Sequence, residues 1–163
     1  MKAKERQAGL VSLQLAKQDD VPAVSSLLFE WLKFEKEGRL QQIRRAIKAR
    51  EIIVSMDKKT DKVVGFIHGI IHNDPISCGP LLYITALYIR APFRRRGIGS
   101  LMVKQITQKA LEDHRIVGVE ITTAHWDALK LYKKLGFSQF KADFGEILLN
   151  LDIKKWKEKL LSV

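Results

Sequence analysis

Between a strand-like run that ends near Ile89 and a helical stripe that opens at Ile98 stands Arg94-Arg95-Arg96-Gly97-Ile98-Gly99-Ser100. Three cationic side chains and two glycines are compressed into one strand-to-helix turn, and this dictates what can lie around it. The first N–H groups of a helix lack intrahelical acceptors, and the helix dipole favours negative charge there. A pyrophosphate can sit on such a turn, where glycines at 97 and 99 let the backbone approach without an intervening Cβ. Two other nucleotide-binding patterns fail on spacing. The dinucleotide fingerprint needs a third glycine where Met102 stands, and a P-loop needs a Gly-Lys-Ser/Thr ending that is missing. Taken alone, the segment also fits an ordinary basic turn before a helix.

The pattern on either side alternates between strand and helix periods. Leu10 to Leu15 reads as a first strand. A helix follows, with Asp19 or Asp20 as its cap, Pro22 in its first turn and Val24, Leu27, Leu28, Trp31 and Leu32 at helical spacing. Gly38 is expected to end it, and Arg39 to Lys48 reads as a second short helix. Ile52 to Met56 and Val63 to Ile71 are strand-like, joined as a hairpin through Asp57-Lys58-Lys59-Thr60-Asp61. Asn73-Asp74-Pro75 and Cys78-Gly79-Pro80 punctuate a loop before a strand over Leu81 to Arg90. Ile98, Leu101, Met102, Ile106 and Ala110 mark one face of a helix over Gly97 to about Asp113. Val117 to Thr122 is the next strand, Asp127 to Leu135 a helix closed by Gly136, and Ser138 to Lys141 and Glu146 to Ile153 two last strands. No linker or repeat interrupts this order, so one mixed α/β domain over residues 1–163 is expected.

Composition narrows the partners. The formal charge of +11 favours polyanions such as nucleic acid, anionic lipid or a phosphorylated cofactor, without choosing among them. Outside the arginine run, Arg44-Arg45 and Lys154-Lys155-Trp156-Lys157 read as solvated faces. Cys78 is the sole cysteine, so an intrachain disulfide and cysteine-built zinc sites are excluded. Met1 to Arg6 carries basic residues with no apolar run behind it, and no stretch is long enough to span a bilayer. A cytoplasmic protein is expected.

Two stretches together carry a specific resemblance. Arg94, Gly97 and Gly99 match Arg/Gln-x-x-Gly-x-Gly/Ala. Val119-Glu120-Ile121, followed by Ala128, Leu131-Tyr132 and Leu135-Gly136-Phe137, matches Leu-Glu-Val…Asn-x-x-Ala-x-x-Leu-Tyr-x-x-Leu-Gly-Phe. In these motifs the chain resembles the GNAT superfamily, the Gcn5-related N-acetyltransferases, over about a third of its length, Leu81 to Phe137. The motif asparagine is replaced by His125, which puts one contact to the pantetheine arm in doubt, although histidine can still donate a hydrogen bond.

The resemblance implies a central, mostly antiparallel mixed sheet splayed between its fourth and fifth strands and flanked by about four helices. It implies acetyl-CoA as the acetyl donor and direct attack of a primary amine on the thioester. Backbone groups of Leu87, Tyr88 and Ile89 would pair with pantetheine. Arg94, Arg95, Arg96, Gly97, Ile98, Gly99 and Ser100 would hold the pyrophosphate, with His125 and Tyr132 lining the arm. Tyr132 would protonate the departing thiolate, and Glu120 aligns with a carboxylate that serves relatives as a base. On residue pattern alone Tyr132 also fits a core tyrosine, Glu120 a solvated strand residue, and His125 either a base, a relay or a structural histidine. His68 and His72 read as packing residues.

The acceptor is less defined: a peptide, a protein or a small molecule. Presenting a neutral lysine side chain at pH 7 costs about 4.6 kcal/mol against about 1.4 for an α-amine, so an α-amine needs less help from a base. In relatives the acceptor enters between the first two helices and the last hairpin, where this chain has Glu30, Phe34, Glu35, Glu37, Asp143 and Glu146, acids that would draw a cationic amine. A catalytically silent acyl-CoA-binding domain is the alternative from another class, and a nucleic-acid-binding module a third. Neither a membrane nor a nucleic acid is required as a partner, and a homodimer stays open.

Overall fold

Hydrophobic alternation and helical stripes resolve into seven strands and five α-helices in a computed structural model that describes residues 9–75, 79–143 and 146–161. The sheet order is β1-β2-β3-β4-β5-β7-β6, with β1 Val11–Leu15, β2 Ile52–Asp57, β3 Lys62–Asp74, β4 Gly79–Ile89, β5 Gly118–Thr123, β6 Ser138–Asp143 and β7 Glu146–Asp152. The β1–β2, β2–β3, β5–β7 and β6–β7 pairs are antiparallel, whereas β4 and β5 are parallel. The helices are α1 Val21–Leu32, α2 Arg39–Lys48, α3 Ile98–His114, α4 Trp126–Leu135 and α5 Ile153–Leu161. The expected mostly antiparallel mixed sheet is present, with β4 and β5 running parallel, and the described residues form five helices where about four were expected. Cys78 and Met1 to Arg6 lie outside the described residues.

The chain divides into two compact units, Met1–His68 with Ala86–Lys104 and Gly69–Thr85 with Gln105–Val163. In the first, α1 and α2 contribute Val21, Val24, Leu27, Ile43 and Ile47 to a core shared with Ile52, Val54, Val63, Phe66 and Tyr88. Each such aliphatic or aromatic side chain contributes about 1.5–3 kcal/mol when fully buried. In the second unit, Val119 and Ile121 of β5 are buried and pair in register with Leu151 and Leu149 of β7. The alternate residues Glu120 and Thr122 are only half-buried, as period-two alternation requires.

Several boundaries differ from expectation. α1 ends at Lys33, whose φ of 61° is left-handed and whose N–H bonds to the Phe29 carbonyl; Gly38 instead occupies the position before α2. Asp20 precedes α1, but its carboxylate accepts from the Lys17 N–H across a single 3-10 turn, leaving α1 without a side-chain cap. The expected loop residues Asn73, Asp74, Gly79 and Pro80 fall within β3 and β4. Ile153, expected at the end of the last strand, opens α5, where Asp152 Oδ1 accepts from the Lys154 and Lys155 N–H groups at 2.8 and 3.3 Å. This fifth helix buries Ile153 and Trp156, so only the lysines of the expected solvated run keep that role.

The β2–β3 connection has its own electrostatic clasp. Thr60 Oγ1 donates to Asp57 Oδ2 at 2.6 Å and the Lys59 N–H to Oδ1 at 3.3 Å. These donors, the threonine first, hold the Asp57 carboxyl below its ordinary value of 3.8. A lowered folded-state value means stabilisation that is complete above the unfolded value and lost as pH falls through the folded one. Thr60→Val should therefore lower Tm at pH 7, and the difference from wild type should close as pH falls below 3.8 in a thermal melt series.

Candidate functional site

In the first unit, β4 leaves the sheet at Ile89 and the chain passes through a 3-10 turn, Ala91–Phe93, before α3 begins. Pro92 suits that turn, and the Phe93 and Arg94 N–H groups close it onto the Arg90 and Ala91 carbonyls at 2.9 and 3.2 Å. Arg95 and Gly97 then adopt left-handed conformations, with φ of 62° and 83°. Arg94 before them is extended, so the backbone changes direction at Arg95 and again at Gly97 as it enters the first turn of α3. Gly97 is the residue suited to φ of 83°, and Arg95 carries the same geometry at a steric cost.

Side chains brace the turn. Arg94 Nε donates to the Ile89 carbonyl at 2.7 Å while its guanidinium lies 5.3 Å from the centre of the Tyr88 ring. Tyr88 in turn stacks on Trp31 of α1 at 5.9 Å, and Arg96 lies over Phe93 at 5.5 Å. Thus Tyr88, Ile89 and Arg94 are brought together, with the arginine ordering the turn as well as charging it. The first hydrogen bond closing α3 is Leu101 N–H to the Gly97 carbonyl at 3.2 Å. The N–H groups of Ile98, Gly99 and Ser100 belong to the first turn, where a helix offers no internal acceptor. Ile98 and Gly99 are buried, so an anion here would meet backbone in a partly dehydrated setting. The donor set fits a pyrophosphate.

In the second unit the β4–β5 pairing covers only Leu81 to Ile84 against Gly118 to Ile121, although β4 runs on to Ile89 and β5 to Thr123. Beyond Ile84, strand residues including Leu87 are thus outside the β4–β5 ladder. Glu120 sits in register between Tyr83 of β4 and Asn150 of β7. The Tyr83 hydroxyl and Thr122 Oγ1 are 3.0 Å apart, and His72 Nε2 is 4.0 Å from Glu120 Oε2. His72 also meets the Tyr83 ring edge-on at 6.4 Å. His72 packs against the Tyr83 ring as expected and faces the Glu120 carboxylate as well, while His68 faces Glu51, its Nε2 lying 3.2 Å from Glu51 Oε2. The alternation on β5 could have flagged Thr122 with Glu120, but nothing local to the sequence places His72 or Tyr83 beside them.

Tyr132 is only 3% exposed, and its ring lies 5.6 Å from that of Phe137. Gly136 makes this return: its φ of 102° ends α4, and the Phe137 N–H reaches the Tyr132 carbonyl at 3.1 Å. Burial pushes the Tyr132 hydroxyl well above its ordinary value of 10.0, so it holds its proton throughout the neutral range. No hydrogen bond joins it to Glu120 among the described residues. His125 stands at the N-cap position of α4 without a side-chain cap, its N–H donating to Thr123 Oγ1 at 3.1 Å. With Thr123, Trp126, Leu129 and Ile147 it lines a depression of about 110 Å³.

Two of the five acids expected to draw a cationic acceptor are paired with arginines. Glu30 pairs with Arg90 at 2.9 Å and Glu35 with Arg39 at 3.4 Å, while Arg39 also stacks over the exposed Phe34. Glu37 and Glu146 are exposed, and the Asp143 side chain lies outside what is described.

The basic left-handed turn opening α3 and the α4 segment that carries Tyr132 both lie within one family match: the model for the acetyltransferase (GNAT) family covers residues 20–137. The chain belongs to the acetyltransferase (GNAT) family. Solved structures share the fold of this GNAT protein. The NatC complex bound to Gag peptide and CoA aligns at TM-score 0.74 and 15% identity, over 88% of this chain and 98% of that one. Arabidopsis thaliana NAA60 with a bisubstrate analogue gives 0.71 and 18%, over 87% and 97%. Arabidopsis thaliana Naa50 with the bisubstrate analogue CoA-Ac-MVNAL gives 0.70 and 19%, over 88% and 99%. Among the described residues of this GNAT chain, no helix is long and apolar enough to cross a membrane.

Proposed function

We propose that this GNAT acetyltransferase moves the acetyl group of acetyl-CoA onto the amine of a peptide or protein by direct attack on the thioester. The observation that carries the reading is the turn with Arg95 and Gly97 left-handed, which opens α3 with three arginines beside its free N–H groups. Acetyl-CoA supplies the activated acetyl group, and a diphosphate is the part of it that this turn suits. Arg94, Arg95, Arg96 and the Gly97 to Ser100 backbone hold the diphosphate, while backbone groups of Leu87, Tyr88 and Ile89 and the residues His125 and Tyr132 receive the arm. Structural neighbours captured with CoA, a peptide or a CoA–peptide bisubstrate analogue support both the donor and a peptide acceptor.

Chemistry falls to the second unit. Glu120 accepts a proton from the incoming amine, and Tyr132, kept protonated by burial, gives one to the departing sulfur. An α-amine is the better fit, because freeing its lone pair at pH 7 costs about 3 kcal/mol less than freeing that of a lysine. Glu30 and Glu35 are held by Arg90 and Arg39, while Glu37 and Glu146 remain exposed to draw a cationic amine. The sole cysteine and the reducing conditions it suits are consistent with a cytoplasmic setting.

The test is a screen of peptides with varied N-terminal residues, lysine-containing peptides blocked at the N-terminus, and small amines, with purified protein and acetyl-CoA. Free-thiol release and mass spectrometry of the products should show α-amine acetylation of a subset of peptides. Thermal protection by coenzyme A without thiol release for any acceptor would instead establish a silent acyl-CoA-binding domain.

A further inference from the structure

Of the ionisable side chains outside the family motifs, His72 has the most pointed placement. It projects from β3 to within 4.0 Å of Glu120, and its ring is held edge-on by Tyr83, the residue in register with Glu120 across the β4–β5 pair. Tyr83 is itself fixed by the 3.0 Å contact between its hydroxyl and Thr122. Among the described residues, the groups that face His72 include the Glu120 carboxylate of β5 and the Tyr83 phenol of β4, with the uncharged Asn150 of β7 in register with Glu120. Accessibility runs along the pair: the Glu120 side chain is 22% exposed and that of His72 41%.

We infer that His72 is a positioning residue for Glu120, receiving from it the proton that the acceptor amine loses and releasing that proton to solvent. The inference rests on Glu120 being the base of the reaction proposed above. The amine passes one proton to the Glu120 carboxylate, and its freed lone pair forms the C–N bond to the acetyl carbon. The C–S electron pair leaves with sulfur, which takes the Tyr132 proton, and the nitrogen, acylated and still carrying the second proton of the ammonium, returns that proton to the Tyr132 oxygen, so the tyrosine is restored. Glu120 then hands its proton to Nε2 of His72, in the tautomer that carries hydrogen on Nδ1, and the more exposed imidazole passes it to water. Turnover needs that last transfer, because a protonated Glu120 accepts nothing further. The 4.0 Å separation exceeds the roughly 2.7–3.2 Å of a formed hydrogen bond, and side-chain rotation closes it, as catalytic contacts tighten on substrate binding.

The experiment uses the full chain and an acceptor identified by the peptide screen. His72→Ala should lower kcat by about 10-fold to 100-fold with the acetyl-CoA KM unchanged, short of the full loss expected when a direct acid or base is removed. Added imidazole should restore turnover, since His72 borders solvent. In the Glu120→Gln background His72→Ala should cost nothing more, because both residues act on one proton. Independently of activity, Glu120→Gln should move the NMR resonances of the His72 ring. Unchanged kcat in His72→Ala, a loss that imidazole leaves untouched, losses that multiply with Glu120→Gln, or an unmoved His72 resonance would each overturn the inference. A wild type that releases no thiol with any acceptor overturns the acetyl-transfer reading first. A wild type that turns over while His72→Ala does so equally well overturns only the role of His72.

Discussion

Tyr132→Phe should leave the fold and the acetyl-CoA affinity intact while lowering kcat by about 10²–10⁴-fold, the usual contribution of a general acid or base. The substitution keeps the ring against Phe137 and removes a hydroxyl that makes no hydrogen bond within the described residues, so Tm should barely move. The raised value acts in two directions, keeping the proton available and making its release to the thiolate harder. Burial raises the phenol above its ordinary 10.0, which keeps the proton in place at every pH where the amine is a useful nucleophile. A falling limb in the pH profile with a midpoint below 10.0 therefore cannot belong to Tyr132. Single-turnover kinetics must accompany the measurement, because slow product release masks loss of a chemical step. Full kcat in an assay limited by chemistry would make Tyr132 a packing residue and leave the thiolate to solvent.

The second large effect concerns the α3 turn. Coenzyme A at about 100 times its Kd should stabilise the wild type by about 2.7 kcal/mol, or roughly 5–11 °C in Tm for a chain of this size. Gly99→Glu should abolish that protection. A carboxylate in the first turn of a helix is favourable to the helix itself, since it complements the dipole, but it places a charge and a side chain where a diphosphate would lie. Gly99→Ala serves as the companion: it adds volume without charge, so it should keep part of the protection. ATP and NAD should protect less than coenzyme A because neither carries a pantetheine arm. Full protection of a folded Gly99→Glu would move the diphosphate away from this turn.

Local chemistry made much of this protein readable before its fold. The α3 turn announces itself because arginines, glycines and a change of hydrophobic period fall within a few residues, and the α4 helix because Gly136 and Phe137 close it in a recurrent way. Long-range contacts were another matter. Period-two alternation tells which face of β5 carries Glu120, yet it is silent on which strand lies beside it, so His72 looked like a packing residue alone. Asn73-Asp74-Pro75 resembles a loop, but β3 extends through Asp74 and brings His72 within the strand. Lys33 ends α1 in a left-handed conformation that glycine would adopt more readily, which is why Gly38 was the expected stop. Asp152 before Ile153 was a legible helix start, hidden by the apolar run that precedes it.

The three tryptophans happen to sit in three different optical environments. Trp126, 75% exposed at the start of α4, should emit far to the red and respond to anything that enters the depression beside His125. Trp31, stacked on the tyrosine beneath Arg94, should report occupancy of the arginine turn through a change in quenching. Trp156, 6% exposed, should emit to the blue and stay silent to ligands until α5 unravels. Single-tryptophan variants would thus let one cuvette distinguish binding at the diphosphate turn, binding at the α4 entrance and melting of the C-terminal helix, with no added dye.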